Sequence, residues 1–425
     1  MVALVFCLIL FVLFLVNTPI AVAIGTASLF VFFVKADISP LIFIQRLYAG
    51  VDSFPLLAVP LFMYAGFIME AGGISRRIIN FAEALVGWLP GGLTAVSIVS
   101  AMFFGGISGS AAADTAAVGS IMIPAMIKRG YRPAFANAVI ASSGSLGVII
   151  PPSIPMIIFG FLTGASISKL FAAGILPGLL IGLSLMAVSL TICWKSGFHE
   201  RTFFSIRRLI KTFWDAKWAL ATPVIVLSGI LAGVFTATEA ASIATLYALF
   251  VGLLIHKELN IADLPELFLK GSVTASVVLF IISAASVFSW VMAIEQIPSI
   301  IAQSLFSLTK YPLLLLLIIN IVLLIVGTFV ETTAALILFV PIIMKVFPQL
   351  GIDITQLGMI IVLNLAIGML TPPLGICLIV ACGISGERIE ATSRAVLPFL
   401  IVIIANLLLV TYWSPISMWL PSLLK

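Results

Sequence analysis

Phe103-Phe104-Gly105-Gly106-Ile107-Ser108-Gly109-Ser110 interrupts a long apolar run with glycines and hydroxyls, and Ile325-Val326-Gly327-Thr328-Phe329-Val330-Glu331 does the same in the other half of the chain. Each is followed at the same distance by a proline pair: Gly106 precedes Pro151, and Gly327 precedes Pro372, by 45 residues. Gly147 and Gly368 each stand four residues before those prolines, so the pattern recurs at an offset of 221. Repetition of broken, polar-tipped segments in two halves of an apolar chain is the pattern of a membrane carrier with an internal repeat.

The composition agrees with a membrane protein. Hydrophobic residues make up 62% of the chain and charged residues 9%, and mean hydropathy is +1.31. Soluble domains carry about 25% charged residues. At about 20 apolar residues per spanning helix, the 425 residues leave room for roughly ten to twelve spans. Long continuous apolar runs exclude a barrel of short alternating strands, so an all-α membrane protein is expected. The net charge of +5 reads as loop bias, not as a nucleic-acid surface. Cys7, Cys193, Cys377 and Cys382 lie in or beside apolar runs and read as small buried hydrophobes. His199 and His256, the two histidines, sit in charged loops and leave little material for metal or histidine chemistry. Residues 1–16 lack a basic leader and a small-residue cleavage site, and read as a retained helix.

Residues 1–34 would form a helix of about 51 Å, against a hydrocarbon core of roughly 30 Å. Two short spans turning at Asn17-Thr18-Pro19 are expected, because at the repeat offset Asn17 and Thr18 fall on Thr238 and Glu239, between two apolar runs. Residues 40–52 contain Gln45 and Arg46 and read as an interfacial arm, followed by a span over 54–69. Residues 91–127 form a hairpin broken at the tip. Arg76 and Arg77 precede it and Lys128, Arg129 and Arg132 follow it, so both mouths lie on one, cytoplasmic, face. Residues 133–162 are broken by Ser142-Ser143-Gly144-Ser145 and Pro151-Pro152, and 167–194 span again. The linker 195–217 holds six bases and two acids between Trp194 and Trp218, and is cytoplasmic. Counting onward places the second hairpin (312–347) on the opposite face, then a second broken helix (354–382) and a last span (396–413). The repeat is therefore inverted, with both termini outside.

Irregular backbone at membrane depth persists only where protein or a wet cavity satisfies it. A break frees carbonyls at one half-helix end, which suit sodium, and amides at the other, which suit an anion. Hard cations take oxygen ligands. The expected first sodium site joins Ser108 and Ser110 to backbone carbonyls at Gly144, Gly147, Val148 and Ile150; the second joins Gly327, Thr328 and Glu331 to Gly368, Met369 and Thr371. Ser142, Ser143 and Asn364 add further oxygens at the two breaks. Substrate groups are expected at Ser108, Ser110, Asp114, Ser145, Thr328 and Glu331. Bland readings stand beside these. Gly105-Gly106 also permits close helix packing, Pro151-Pro152 also makes a kink, and Asp114 also finds partners in Ser110 and Thr115. Thr236-Ala237-Thr238-Glu239 reads as a capping box rather than a site. With no histidine in a span and no paired aspartates, an intramembrane enzyme is not expected.

The chain resembles the large membrane subunit of tripartite ATP-independent periplasmic (TRAP) transporters, the DctM-like family. The resemblance rests on residues 103–119 (FFGGISGSAAADTAAVG), 123–131 (IPAMIKRGY), 147–155 (GVIIPPSIP), 236–249 (TATEAASIATLYAL), 288–298 (FSWVMAIEQIP) and 368–375 (GMLTPPLG). It implies a sodium-driven elevator in the bacterial inner membrane, a small four-helix membrane subunit, and a periplasmic substrate-binding protein that delivers an organic anion. The implied transport unit comprises residues 91–166 and 311–385; the scaffold comprises 1–90 with the arm, 167–310 with the linker, and 386–425. Ala111-Ala112-Ala113-Asp114-Thr115 looks more like the sialic-acid and sugar-acid members than the C4-dicarboxylate ones. Neither tip offers a clear substrate-clamping arginine. The competing expectation is an autonomous sodium-coupled anion symporter that needs no partner.

Overall fold

A computed structural model describes residues 2–16, 18–35, 39–197 and 203–424. Asn17 of the expected first turn, and His199 in the linker, lie outside the described residues. The fold is all-α, with no strand among the described residues, and seven of its helices are long and apolar enough to cross a membrane.

Helices α1 (Val2–Leu15) and α2 (Ile20–Val34) are separate and pack on each other, with Pro19 leading into α2. Helix α3 (Pro40–Val51) is followed by a short 3-10 turn (Phe54–Leu57) and α4 (Ala58–Ala71). The amphipathic α5 (Ile74–Val86) buries Ile74, Ile78 and Ala82 and leads to α6 (Gly92–Ser108) and α7 (Ala111–Lys128), the first hairpin. The first broken helix is α8 (Pro133–Gly144), a 3-10 turn (Ser145–Val148) and α9 (Ile154–Thr163). Then come α10 (Ile167–Lys195), α11 (Ile206–Leu231), α12 (Ala237–Phe250), α13 (Leu264–Ile294) and α14 (Ile297–Leu308). The second hairpin is α15 (Pro312–Phe329) with α16 (Thr332–Val346), and the second broken helix is α17 (Ile354–Gly368) with α18 (Ile376–Ser385). Helix α19 (Ile389–Tyr412) and a single turn α20 (Pro415–Met418) complete the chain described.

The start of α12 carries the capping box read from sequence. Thr236 Oγ1 accepts from the Glu239 amide at 3.3 Å, and the Thr236 amide donates to Glu239 Oε2 at 2.8 Å. All four cysteines are free thiols, three of them buried.

Two packing arrangements differ from the sequence expectation. Residues 40–51 do not stand apart as an arm but run antiparallel along the outer half of α13. Ser283 donates to the Leu47 carbonyl at 2.7 Å, and the Arg46 guanidinium lies 6.0 Å from the Trp290 ring centre. Tyr64 of α4 pairs with Ser272 at 2.8 Å, so α3 and α4 continue one another along α13 across the kink at Pro55. The amphipathic connectors into the two hairpins are instead α5 and α14.

Helices α10 and α19, expected in the scaffold, pack on the hairpin bundle. The reason is a small-residue seam on α10. A Cβ at Gly174, Gly178 or Gly182 would stand 2.5 Å from the Ile149 carbonyl oxygen, 2.6 Å from Ile150 Cγ1 and 2.5 Å from Met102 Sδ respectively. Glycine at every fourth position lets backbones approach where lipid gives no hydrophobic drive to associate. On the other side, α2, α3, α4 and α12 gather around α13 and one another.

Candidate functional site

Of the glycines singled out in the sequence, Gly327 is a crossing point, but in the first half the crossing falls on Gly105, one residue before the repeat-matched Gly106, whose Cβ would face Pro223 at 3.2 Å. A Cβ on Gly105 would lie 3.0 Å from Gly147 Cα, and one on Gly327 would lie 3.1 Å from Gly368 Cα. Each hairpin thus passes against its own broken helix with backbone touching backbone, just before the proline pair. Both proline pairs are cis.

At the first crossing the polar groups converge. Ser108, at the end of α6, donates its hydroxyl to Asp114 Oδ1 and accepts the Ser110 amide at 3.1 Å. Asp114 is 0% exposed, and its second oxygen, Oδ2, has no hydrogen-bond partner. That oxygen lies where a Gly147 Cβ would be, 2.1 Å from the position, with the Ser110 carbonyl oxygen 3.1 Å from the same point. Glycine at 147 therefore makes the space in which the buried carboxylate oxygen sits near the Ser110 carbonyl, which itself accepts the Asp114 amide at 3.0 Å and lies 3.3 Å from the Ser108 hydroxyl. Gly144 makes room likewise for Thr115. A carboxylate in lipid-depth surroundings costs several kcal/mol unless a charge or donor compensates it, and Oδ2 has neither. A hard monovalent cation would supply that compensation, and the ligand set, all oxygen, fits sodium.

The other expected first-site residues are placed differently. Ser145 donates to the Ser142 carbonyl at 2.8 Å, and the Val148 carbonyl is taken by the Ser153 hydroxyl at 2.6 Å. Ile150 turns its side chain into the gap left by Gly178. Ser143 bonds back to Ile140, whereas the buried Ser142 hydroxyl has no partner.

At the second crossing the side chains are engaged locally. Thr328 donates to the Ile325 carbonyl at 2.7 Å and Thr371 to the Ile367 carbonyl at 2.8 Å; the Met369 carbonyl accepts the Cys377 amide at 3.1 Å. Glu331 is the N-cap of α16, its Oε2 accepting from the Thr333 and Ala334 amides at 2.9 and 3.3 Å. The helix start itself compensates this carboxylate. The repeat partner of Asp114 is Ala335, so the copies share a backbone crossing and differ in where the carboxylate sits.

The helix starts divide in the same way. Those of α9 and α16, which pack together, are capped by Ser153 and Glu331. Those of α7 and α18, also packed together, have no side-chain cap. Cys377 lies in the first turn of α18 and Thr115 in the first turn of α7, where Thr115 donates to the Ala111 carbonyl at 2.7 Å. These two starts lack side-chain caps, and although the Cys377 amide is taken by the Met369 carbonyl at 3.1 Å, their remaining first-turn amides are where an anion is electrostatically favoured. A small cavity of about 50 Å³ reaches Ser108 and Ser110 from the scaffold side, lined also by Glu70 of α4 and Thr274 of α13.

Sequence reading singled out Asn364 but missed its partner Asn320: Asn364 donates to Asn320 Oδ1 at 2.7 Å, and Asn320 donates to Thr411 at 3.0 Å. Asn320, alone in the leucine-rich run of α15, was the available signal. No group of three or more metal-ligating His, Cys, Asp or Glu side chains occurs among the described residues.

Two hairpins, each crossing a broken helix at a pair of glycines, define the all-α membrane fold. The solved structure of the YdaH transporter of Alcanivorax borkumensis has a similar fold, with a TM-score of 0.63 at 15% identity over 88% of this chain and 87% of that one. Residues 7–416 match the family described as tripartite ATP-independent periplasmic transporter, DctM component, and the chain belongs to that family. The isethionate TRAP transporter permease of Oleidesulfovibrio alaskensis is 42% identical over 96% of this chain, which spans 65% of that protein's length. The C4-dicarboxylate large permease of Pseudomonas aeruginosa is 39% identical over 89% of this chain and 88% of its own length. The sialic acid large permease of Vibrio cholerae is 39% identical over 89% of both.

Proposed function

We propose that this chain is the large permease subunit of a sodium-coupled importer of an organic anion in the bacterial inner membrane. A periplasmic binding protein delivers the anion, and a small four-helix membrane subunit braces the scaffold. The observation that carries the reading is the unpartnered Asp114 oxygen at the Gly105–Gly147 crossing, beside two uncapped helix starts. Ser108, Asp114 and the Ser110 carbonyl would hold sodium there; the bound ion neutralises Asp114, which otherwise repels an anion approaching the α7 and α18 amides. Sodium and anion thereby favour each other's binding, which is the linkage a symporter requires. A second sodium is assigned to the Gly327–Gly368 crossing, where backbone oxygens predominate because Glu331 caps α16. The bundle of hairpins, broken helices, α10 and α19 is the unit that moves against α2–α4, α12 and α13.

The substrate is an organic acid. Sialic acid or another sugar acid is placed first, on the 111–115 stretch, although relatives named for sialic acid and for C4-dicarboxylates are equally similar to this chain. The experiment is reconstitution of all three components in proteoliposomes, with labelled N-acetylneuraminate, succinate and isethionate offered under an inward sodium gradient. Accumulation of one of them that needs both sodium and the binding protein is expected. Accumulation by this chain alone would establish an autonomous symporter, and accumulation indifferent to sodium would refute the coupling.

A further inference from the structure

On the scaffold, far from the hairpin tips in sequence, α3 and α13 face the ends of α9 and α16 across a cavity of about 490 Å³. Its scaffold wall carries Arg46, Ser286, Ser289 and Trp290; the bundle wall is apolar, with Phe161 and Met344. Arg46 is the one charged residue lining it. Among the described residues no carboxylate pairs with Arg46, and Glu295 at the end of α13 is already paired with Lys35. The guanidinium is instead held beside the Trp290 ring at 6.0 Å.

We propose that this cavity is an entry site for a small organic anion, in which Arg46 receives the carboxylate or sulfonate before it passes to the hairpin tips. Four features carry this. An arginine with no carboxylate partner among the described residues, at the mouth of an apolar cavity, favours an anion over a neutral occupant. Its planar, weakly hydrated guanidinium bonds carboxylates and sulfonates in paired fashion, and the Trp290 ring lies 6.0 Å from it. Ser286 and Ser289 add hydroxyls for the rest of a polar solute, while the volume lies within the roughly 300–1,000 Å³ of small-molecule sites. Finally, the walls belong to the two bodies that must slide past each other, so an occupant is bounded by the static part on one side and the moving part on the other. The face is the one opposite Arg76, Arg77 and the basic linker, hence the outer one. Naming the occupant as the transported anion rests on the carrier reading above; the affinity of the cavity for anions does not.

The test is charge-selective labelling. Ser289→Cys places a thiol in the cavity of the full chain, and modification at position 289 is read by peptide mass spectrometry in phosphatidylcholine nanodiscs. Two methanethiosulfonates are compared, one with a sulfonate and one with a trimethylammonium group. The ratio of their rates should favour the sulfonate by about tenfold more with Arg46 than with Arg46→Gln, and Arg46→Lys should keep most of that preference. Millimolar N-acetylneuraminate, succinate or isethionate, but not glucose, should slow the reaction. Equal ratios with Arg46 and Arg46→Gln would overturn the proposal. Protection by added phosphatidylglycerol and by none of the soluble anions would overturn it in favour of a lipid headgroup. If labelling behaves as expected while no anion accumulates in proteoliposomes, the carrier reading falls and the anion cavity stands.

Discussion

Gly368→Ala tests the crossing geometry most severely. The added methyl would stand 2.3 Å from the Gly327 carbonyl carbon, 2.4 Å from its oxygen and 2.5 Å from its Cα. These are backbone atoms, so no rotamer change relieves the overlap. Reaching ordinary contact near about 3.5 Å requires the two elements to part by roughly 1 Å. Overpacking costs about 1–3 kcal/mol where side chains can adjust, and with backbone on both sides about 3 kcal/mol or more is expected. Gly327→Ala meets Gly368 Cα at 3.1 Å and asks for a shift of a few tenths of an ångström, so it should cost less. Gly383→Ala, within α18 of the same bundle, meets nothing within 4 Å and should gain up to about 1 kcal/mol in helix propensity. The assay is the unfolding temperature of purified protein followed by tryptophan fluorescence. A fall of about 3–6 °C is expected for Gly368→Ala, a smaller fall for Gly327→Ala, and none for Gly383→Ala. Gly368→Ala as stable as Gly383→Ala would refute the crossing.

Three further outcomes follow from the same geometry. Asp114→Asn keeps the shape and the Ser108 bond but removes the charge; it should raise the sodium needed for half-maximal uptake by about tenfold or more with little change in unfolding temperature, and a wild-type sodium titration would count against Asp114 as a ligand. Glu331→Ala should lower stability by about 1 kcal/mol through loss of the α16 cap, whereas Glu331→Gln retains an acceptor, keeps most of the stability and leaves the sodium requirement unchanged; a raised requirement would make Glu331 an ion ligand as well as a cap. Thr236→Ala should cost about 1 kcal/mol by opening the capping box of α12, and Thr236→Ser should restore it; equal unfolding temperatures for both would remove the box from the account of α12.

Gly147, Gly368 and the proline pairs at one offset made the existence of two crossings legible, because such residues constrain backbone directly; on the hairpin side the offset pairs Gly327 with Gly106, whereas the chain crosses at Gly105. Thr236 and Glu239 were legible for the same local reason. The exchange of roles between Asp114 and Glu331 was not. Both are lone carboxylates near hairpin tips, and only the extended backbone at Glu331, φ −60° and ψ 147°, turns it onto its own helix start. The placement of α10 was present in sequence as Gly174, Gly178 and Gly182, but a glycine seam does not say which neighbour it faces. Arg46 marked its segment as polar; that no carboxylate among the described residues pairs with it is a property of the surrounding walls and not of the segment. Composition likewise says nothing of which helix starts remain uncapped.

The most direct test of the central claim, that sodium occupies the two crossings, is the stoichiometry of radioactive sodium bound to the purified chain at saturation. Two ions per chain in the wild type and one in Asp114→Asn are the expected result. Equal binding by both proteins, or none by the wild type, would contradict it.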